Sequence, residues 1–356
     1  MADRISLLRR RMQELKLSAF IISSLTHLRY LFGFSGSNGL GVITEEYQWL
    51  ITDRRYREQV KHEVHHAEVH IIQQDLFEPI KKRKLFSKGM RVGFEALHLN
   101  FRDFSRLQKA FPDVRLAATE NVIEKLTIPR LPEEIEHTRR ACELARRVWE
   151  TILPVIRPGM TELDLSAEIS YHSKKLGSER DAFEPIVASG WRSALPHGIA
   201  SRKTIEYGEL VVIDFGCVYE GFCSDVTRTV MIGQPSEEQR RMYEAVKEAN
   251  RRAIAAAKAN MPGADLDRVA RDYLKERGYD KEFGHSLGHG LGLDVHSLPR
   301  ISPVSKDRIP ADSIITIEPG VYLPEIGGVR IEDDILVHHD GAEVLTDIDR
   351  ELIIIE

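Results

Sequence analysis

The chain has 356 residues, 42% apolar and 29% charged, with 50 Lys and Arg against 55 Asp and Glu and a formal net charge of −5. These proportions fit a globular protein of two domains or one large one, and they exclude a disordered chain and a nucleic-acid binder, which needs a basic face. No apolar run approaches the ~18 residues that span a bilayer, and the stretch from Met1 to Leu17 lacks the apolar centre of a signal peptide, so a cytoplasmic protein without a membrane partner is expected. The cysteines Cys142, Cys217 and Cys223 are too few and too scattered for a disulfide framework or a zinc ribbon.

In chain order, Arg4–Lys16 reads as a helix and Ala19–Ser23 as a short strand. Gly41–Thr44 and Gln48–Thr52 read as strands joined by a turn at Thr44-Glu45-Glu46-Tyr47, followed by a helical pattern over Arg54–His62 and a strand over Glu68–Ile72. This alternation predicts an α/β domain. The basic run Lys81-Lys82-Arg83-Lys84 reads as a solvated surface turn, in keeping with the overall acidity. Two prolines in Ile128-Pro129-Arg130-Leu131-Pro132 break helix and strand alike, placing a boundary between an N-terminal domain, 1–127, and a second domain, 128–356.

The second domain resembles itself at an offset of about 104 residues, the signature of a duplicated unit. Pro158-Gly159 matches Pro262-Gly263, and each pair follows a long helical pattern, Glu133–Thr151 and Glu237–Asn260. A second amphipathic stretch opens at Leu163-Asp164 and again at Leu266-Asp267, and each ends at a glycine stop, Gly177 or Gly278. The β-branched runs Leu210–Phe215 and Ile314–Ile317 read as buried strands, and the acids Asp214 and Glu318 occupy equivalent places beside them. A second acid follows in each copy, Asp225 and Glu332. The expected fold class is therefore α+β, a duplicated α+β unit behind a smaller α/β domain.

Two such copies packed about a pseudo-two-fold axis would bring Asp214, Asp225, Glu318 and Glu332 together. Several buried carboxylates cannot stay ionised side by side without cations, because desolvation and repulsion each cost several kcal/mol. Glycines surround His289 in Gly288-His289-Gly290-Leu291-Gly292 and allow close backbone approach, which suits a fifth ligand. One imidazole and four carboxylates form a hard donor set that favours Mn²⁺ or a similar divalent ion over a structural zinc site. Two ions roughly 3.5–4 Å apart, bridged by carboxylates and a hydroxide, are the usual catalytic form of such a set. Any one of these acids alone would read as a salt bridge or a helix cap. The set of five reads as a metal centre.

The motifs Leu195-Pro196-His197-Gly198, Val212-Ile213-Asp214-Phe215-Gly216, Ser224-Asp225-Val226-Thr227-Arg228-Thr229, Gly288-His289-Gly290-Leu291-Gly292-Leu293-Asp294-Val295-His296, Glu318-Pro319-Gly320-Val321-Tyr322 and Gly328-Val329-Arg330-Ile331-Glu332-Asp333 stand in one order. That order resembles the pita-bread metallopeptidases of the Xaa-Pro aminopeptidase (aminopeptidase P) and prolidase family. The resemblance reaches the N-terminal domain through Leu28–Ser37 and Thr52–Tyr56, where it is closest to short bacterial members. It implies a C-terminal pita-bread catalytic domain holding two divalent ions, Mn²⁺ first and Co²⁺ or Zn²⁺ as alternatives, on Asp214, Asp225, His289, Glu318 and Glu332. Asp214 would be a terminal ligand of one ion, His289 and Glu318 would hold the other, and Asp225 and Glu332 would bridge. The shared water would supply the hydroxide nucleophile, with Glu318 as proton acceptor. His197 and His296 would be catalytic and substrate-binding residues, acting on the carbonyl and on the leaving imino nitrogen. His285 and Arg330 would face the substrate, and Arg330 and Thr227 would hold ligands in place. Ser297 stands where many relatives carry Glu, which removes an acid near the pocket.

The resemblance further implies a peptide substrate with proline at its second position, and a homodimer or higher homo-oligomer in which Asp53 and Arg54-Arg55-Tyr56 approach a neighbouring site. The first reading is an Xaa-Pro aminopeptidase, and the alternative is a prolidase restricted to Xaa-Pro dipeptides. A creatinase-like hydrolase and a metal-free binding module are disfavoured by the complete ligand set, and a methionine aminopeptidase by the N-terminal domain.

Overall fold

In the computed structural model, which describes residues 2–356, the apolar runs of the first part of the chain form one six-stranded sheet. The chain divides into two compact units, Met1–Thr127 and Ile128–Glu356. In the first, α1 (Ala2–Glu14) precedes β1 (Ala19–Ile22), α2 (Leu25–Phe32), β2 (Gly39–Thr44), β3 (Gln48–Asp53), α3 (Gln59–Glu63) and β4 (Glu68–Ile72). Then come α4 (Glu78–Lys82), β5 (Arg91–Glu95), α5 (Phe101–Ala110), β6 (Arg115–Thr119) and α6 (Val122–Leu126). The strand order is β4-β3-β2-β1-β5-β6. Strands β1, β5 and β6 run parallel, whereas β1–β2–β3 is an antiparallel meander. All four residues of β1 are buried, as expected for a central strand covered on both faces.

The turn expected at Thr44–Tyr47 is present, closed by Thr44 N–H donating to Tyr47 O and Tyr47 N–H donating to the Thr44 hydroxyl. The helix expected over Arg54–His62 is broken into a 3₁₀ turn at Arg54–Tyr56 and the short α3. The Asp53 carboxylate explains the break. It accepts from the Arg55 backbone N–H at 3.0 Å and from the Arg55 guanidinium at 2.8 Å, closing a tight turn in place of a longer helix. The basic run Lys81–Lys84 is exposed, with Lys81 paired to Asp75 and Arg83 near Glu68, as a solvated segment should be.

The second unit contains the duplication. Helices α7 (Pro132–Ile152) and α8 (Glu162–Leu176) lead to strands β7 (Ile186–Ser189), β8 (Leu210–Phe215), β9 (Val218–Tyr219), β10 (Phe222–Cys223) and β11 (Val226–Ile232). The pattern repeats as α9 (Glu237–Ala256) and α10 (Gly263–Glu276), then β12 (Gly288–Gly290), β13 (Ser297–Ile301), β14 (Ile314–Ile317), β15 (Gly320–Leu323), β16 (Gly327–Arg330) and β17 (Asp333–Val337). Strands β18 (Ala342–Val344) and β19 (Ile353–Ile355) close the chain. The sheets run β19-β11-β8-β7 and β13-β12-β14-β17-β18. Thus β7–β8–β11 in one half matches β12–β14–β17 in the other, with antiparallel pairing throughout.

Each helix pair is held by its apolar face. Val148, Ile152, Leu165 and Ile169 pack with Ile213, Val226 and Val230 in one core. Val246, Ala249, Leu266 and Ala270 pack with Ile315, Ile317 and Ile335 in the other. Thr161 and Asp164 form a reciprocal cap at the start of α8, and Gly177 ends it with φ 111°, a left-handed stop that glycine adopts without strain. Helix α9 ends at Ala256, short of the expected Asn260. The amides of Ala259 and Asn260 donate instead to the carbonyls of His338 and Ile309, which draws the chain out of the helix. Among the described residues, no helix is long and apolar enough to cross a membrane.

Candidate metal centre

The two copies place their acids at equivalent points. Asp214 lies in β8 beside its cross-strand partner Thr227, and Glu318 immediately follows β14. Asp225 immediately precedes β11, and Glu332 immediately precedes β17. His289 is the middle residue of β12, held between β13 and β14. A Cβ at Gly288 would lie 2.0 Å from Thr316 O, and one at Gly290 would lie 1.9 Å from Leu298 O. Only glycine at both positions lets the neighbouring strands close around this imidazole.

One donor atom each from Asp225, His289 and Glu332 lie within 4.8 Å of one another. His289 Nε2 is 3.3 Å from Glu318 Oε1 and 3.8 Å from Asp225 Oδ2. Asp214, Asp225, His289, Glu318 and Glu332 line a cavity of about 280 Å³ together with His197, His285, His296 and Arg330. Every metal, catalytic or substrate residue expected from the sequence therefore reaches one cavity. Its remaining wall includes Phe183, Ile186, Pro196 and Val295. Ser297 opens β13, half-buried, and does not line the cavity. Asp53 pairs with Arg55 and Asn38 inside the first unit.

The electrostatics of the acids call for cations. Burial pushes the Asp225 carboxyl well above its ordinary range, and repulsion from Glu332, Asp214 and Asp334 adds to it. Burial likewise raises Glu332, with Glu318 and Asp214 contributing. Asp214 is raised by burial despite the opposing Arg330 charge, and its buried Oδ1 has no hydrogen-bond partner. Glu318 differs: burial pushes it up, but the His289 hydrogen bond and charge, with the more distant Arg330 charge, hold it at about 2. An orphaned carboxylate oxygen, three acids that repel one another and an imidazole within ligand distance fit divalent ions.

A polar scaffold fixes these groups. Arg330 donates from Nη2 to Asp214 Oδ2 at 2.6 Å, from Nε to the Thr227 hydroxyl at 3.1 Å and from Nη1 to the Tyr322 hydroxyl and Pro196 O, each at 3.0 Å. Thr227 donates onward to Glu332 Oε2 at 2.6 Å, so one guanidinium orients acids from both halves. His285 Nε2 lies 3.0 Å from the Tyr322 hydroxyl. The Thr316 hydroxyl accepts from His289 N–H at 3.1 Å and meets Glu318 Oε1 at 3.2 Å. Behind the cavity, Asp334 accepts from Asp225 N–H at 2.9 Å and from Cys142 Sγ at 3.4 Å. Burial lifts Asp334 to about 8. Tyr322, Thr316, Asp334 and Cys142 carried no expected role. Tyr322 at least lies within a quoted motif, whereas Cys142 is remote in sequence. Thr227→Val should cut turnover about 10–100-fold, the usual loss when a ligand-orienting hydrogen bond is removed, with the fold retained by circular dichroism.

The family model for metallopeptidase family M24 matches residues 136–339, more than half of the chain. The chain belongs to metallopeptidase family M24. A second model, the creatinase/prolidase N-terminal domain, matches residues 4–127. As an M24 member the chain is a metal-dependent peptidase with the pita-bread catalytic fold, and its mixed α/β units agree with the expected fold class. It is 46% identical over 254 residues to a Xaa-Pro dipeptidase of Pyrococcus furiosus, covering 71% of each chain. A Bacillus subtilis protein described as an uncharacterized peptidase is 38% identical over 342 residues, covering 96% of this chain and 97% of that one. Among solved structures, a Xaa-Pro dipeptidase from Bacillus anthracis superimposes with a TM-score of 0.95 at 37% identity, covering 99% of both chains. An X-Pro aminopeptidase from Thermotoga maritima gives 0.90 at 38% identity, covering 97% of this chain and all of that one.

Proposed function

We propose that this M24 peptidase hydrolyses the Xaa-Pro bond of dipeptides. The observation that carries the chemistry is the convergence of five donors, three further imidazoles and one guanidinium on a single cavity. The preference for dipeptides rests on relatives named Xaa-Pro dipeptidases, and it reverses the order expected from the sequence. The aminopeptidase reading stands second, supported by the likeness to the Thermotoga maritima X-Pro aminopeptidase.

In this reading Asp214, Asp225, His289, Glu318 and Glu332 hold two divalent ions. Once bound, such ions polarise the scissile carbonyl and make water acidic enough for a weak base to deprotonate. Glu318, a carboxylate beside the ions, is the proton acceptor. His197 donates to the oxygen that gains charge at the scissile carbonyl. Burial lowers the His296 pKa, so its neutral imidazole is available to orient the imino nitrogen. Burial keeps His285 neutral in the same way, and its Nε2 holds the Tyr322 hydroxyl. Arg330 is charged at every working pH and anchors Asp214 while facing the cavity. Phe183, Ile186, Pro196 and Val295 offer an apolar wall suited to a proline ring.

The oxygen-rich donor set favours Mn²⁺, with Co²⁺ or Zn²⁺ as substitutes. A cytoplasmic homo-oligomer completes the proposal. Rates on Xaa-Pro and Xaa-Pro-Yaa substrates with Mn²⁺ test it. Faster cleavage of the dipeptide is expected; efficient cleavage of the tripeptide would restore the aminopeptidase reading, and cleavage of neither would remove both.

A further inference from the structure

A second cluster of metal-ligating side chains lies in the first unit, at the carboxyl ends of the parallel strands β1, β5 and β6. His27 belongs to the first turn of α2, just after β1. Glu95 ends β5, His98 lies in the turn that follows, and Glu124 belongs to α6, after β6. The carboxyl ends of parallel strands are where open α/β sheets gather ligand-binding side chains.

The geometry draws the donor atoms together. One donor atom each from His27, Glu95 and His98 lie within 4.8 Å of one another. Glu95 is only 5% exposed, and its Oε2 accepts from the backbone N–H groups of Ser23 at 2.6 Å and Ser24 at 2.8 Å. That clamp turns Oε1 toward His27 Nδ1, with which it is in hydrogen-bond contact. Burial pushes Glu95 up, but His27 and the two serine amides outweigh it and keep the carboxylate charged. The His27 and His98 rings meet at 79° with their centres 5.1 Å apart. Two imidazoles that share one tetrahedral ion, each through a nitrogen at about 2.0–2.1 Å, place their ring centres about 5 Å apart. Glu124 Oε1 stands 3.1 Å from His98 Nε2. Glu95, His98 and Glu124 also border one narrow crevice with Thr119 and Asn121.

We propose that His27, Glu95 and His98, with Glu124 orienting His98, form a metal site separate from the catalytic centre and selective for a zinc-type ion. Two imidazoles and one carboxylate, with water in the fourth position, are the softer donor set, suited to Zn²⁺ in four-coordinate geometry. The centre of the second unit, with one imidazole and four carboxylates, is the harder one. A bound ion would tie the start of α2 to the end of β5 and the turn that follows it. The site is structural, and none of its residues belongs to the proposed reaction.

Equilibrium dialysis of the full-length chain against Zn²⁺, followed by elemental analysis, tests this. His98→Ala removes an accessible donor and should bind one equivalent fewer per chain than the wild type. The same variant should keep its Mn²⁺-dependent peptidase activity. His172→Ala removes a half-buried imidazole beside Glu168 on α8 and should retain the equivalent. Equal zinc content in the wild type and His98→Ala would overturn the site. Loss of the same equivalent in His172→Ala would do so too, by showing non-specific binding to surface histidines. Neither result bears on the Xaa-Pro reading, which stands on the second unit alone.

Discussion

Asp225→Asn should abolish metal-dependent peptide hydrolysis, by about 10³-fold or more, while the protein stays folded. A bound metal supplies several kcal/mol of transition-state stabilisation, and 1.36 kcal/mol is tenfold in rate. Asparagine has nearly the same shape, and the backbone N–H of residue 225 still donates to Asp334 Oδ2. The charge that is lost is one that burial and four neighbouring acids disfavour. Without metal, the variant should therefore be no less stable than the wild type. Turnover within tenfold of wild type under saturating Mn²⁺ would refute the assignment of Asp225 as a ligand.

Chelation should remove all activity and make stability depend on pH in a direction that follows from the same acids. Asp214, Asp225 and Glu332 have folded-state pKa values raised above their ordinary ones. A carboxyl of that kind binds its proton more tightly folded than unfolded. Its favourable contribution is complete below the unfolded value of about 4 and is lost as pH rises toward the folded value. The EDTA-treated protein should melt at progressively lower temperature as pH climbs from about 4 into the neutral range. Mn²⁺ at about 1,000 times its dissociation constant should restore roughly 4 kcal/mol. For a unit of this size, that is a rise in Tm of about 10 °C. A melting temperature indifferent to chelator and to pH would mean that the acids do not form a cation site.

Much of this centre was legible in the sequence because duplication leaves landmarks at fixed spacing. The two Pro-Gly pairs, the two glycine stops and the recurring acids point to one symmetric arrangement before any contact is known. The groups behind the ligands were not legible. Asp334 reaches Asp225 across 109 residues and Cys142 across 192, and neither contact leaves a local pattern. In the first unit the meander was readable from its turn and alternation, but α2, α5, β5 and β6 were not. Strand β6 is at the sheet edge with no fully buried residue, so its sequence Arg-Leu-Ala-Ala-Thr lacks a clear apolar face. The helical pattern at Arg54–His62 failed because Asp53 competes for the first amides through its side chain.

The two-stranded ribbons β9–β10 and β15–β16 occupy equivalent places in the two halves, yet they have gone separate ways. The first has two residues in each strand, whereas the second has four and brings Arg330, bonded to the Tyr322 hydroxyl, against Asp214 of the opposite half. Symmetry thus governs the acids, and its breaking governs what surrounds them. An ancestral pair of identical copies would already possess a place for cations. Discrimination among substrates would have to await the lengthening of one ribbon. The longer ribbon is also part of the frame: any change in its length would move Arg330, and with it the acids of both halves that this guanidinium holds.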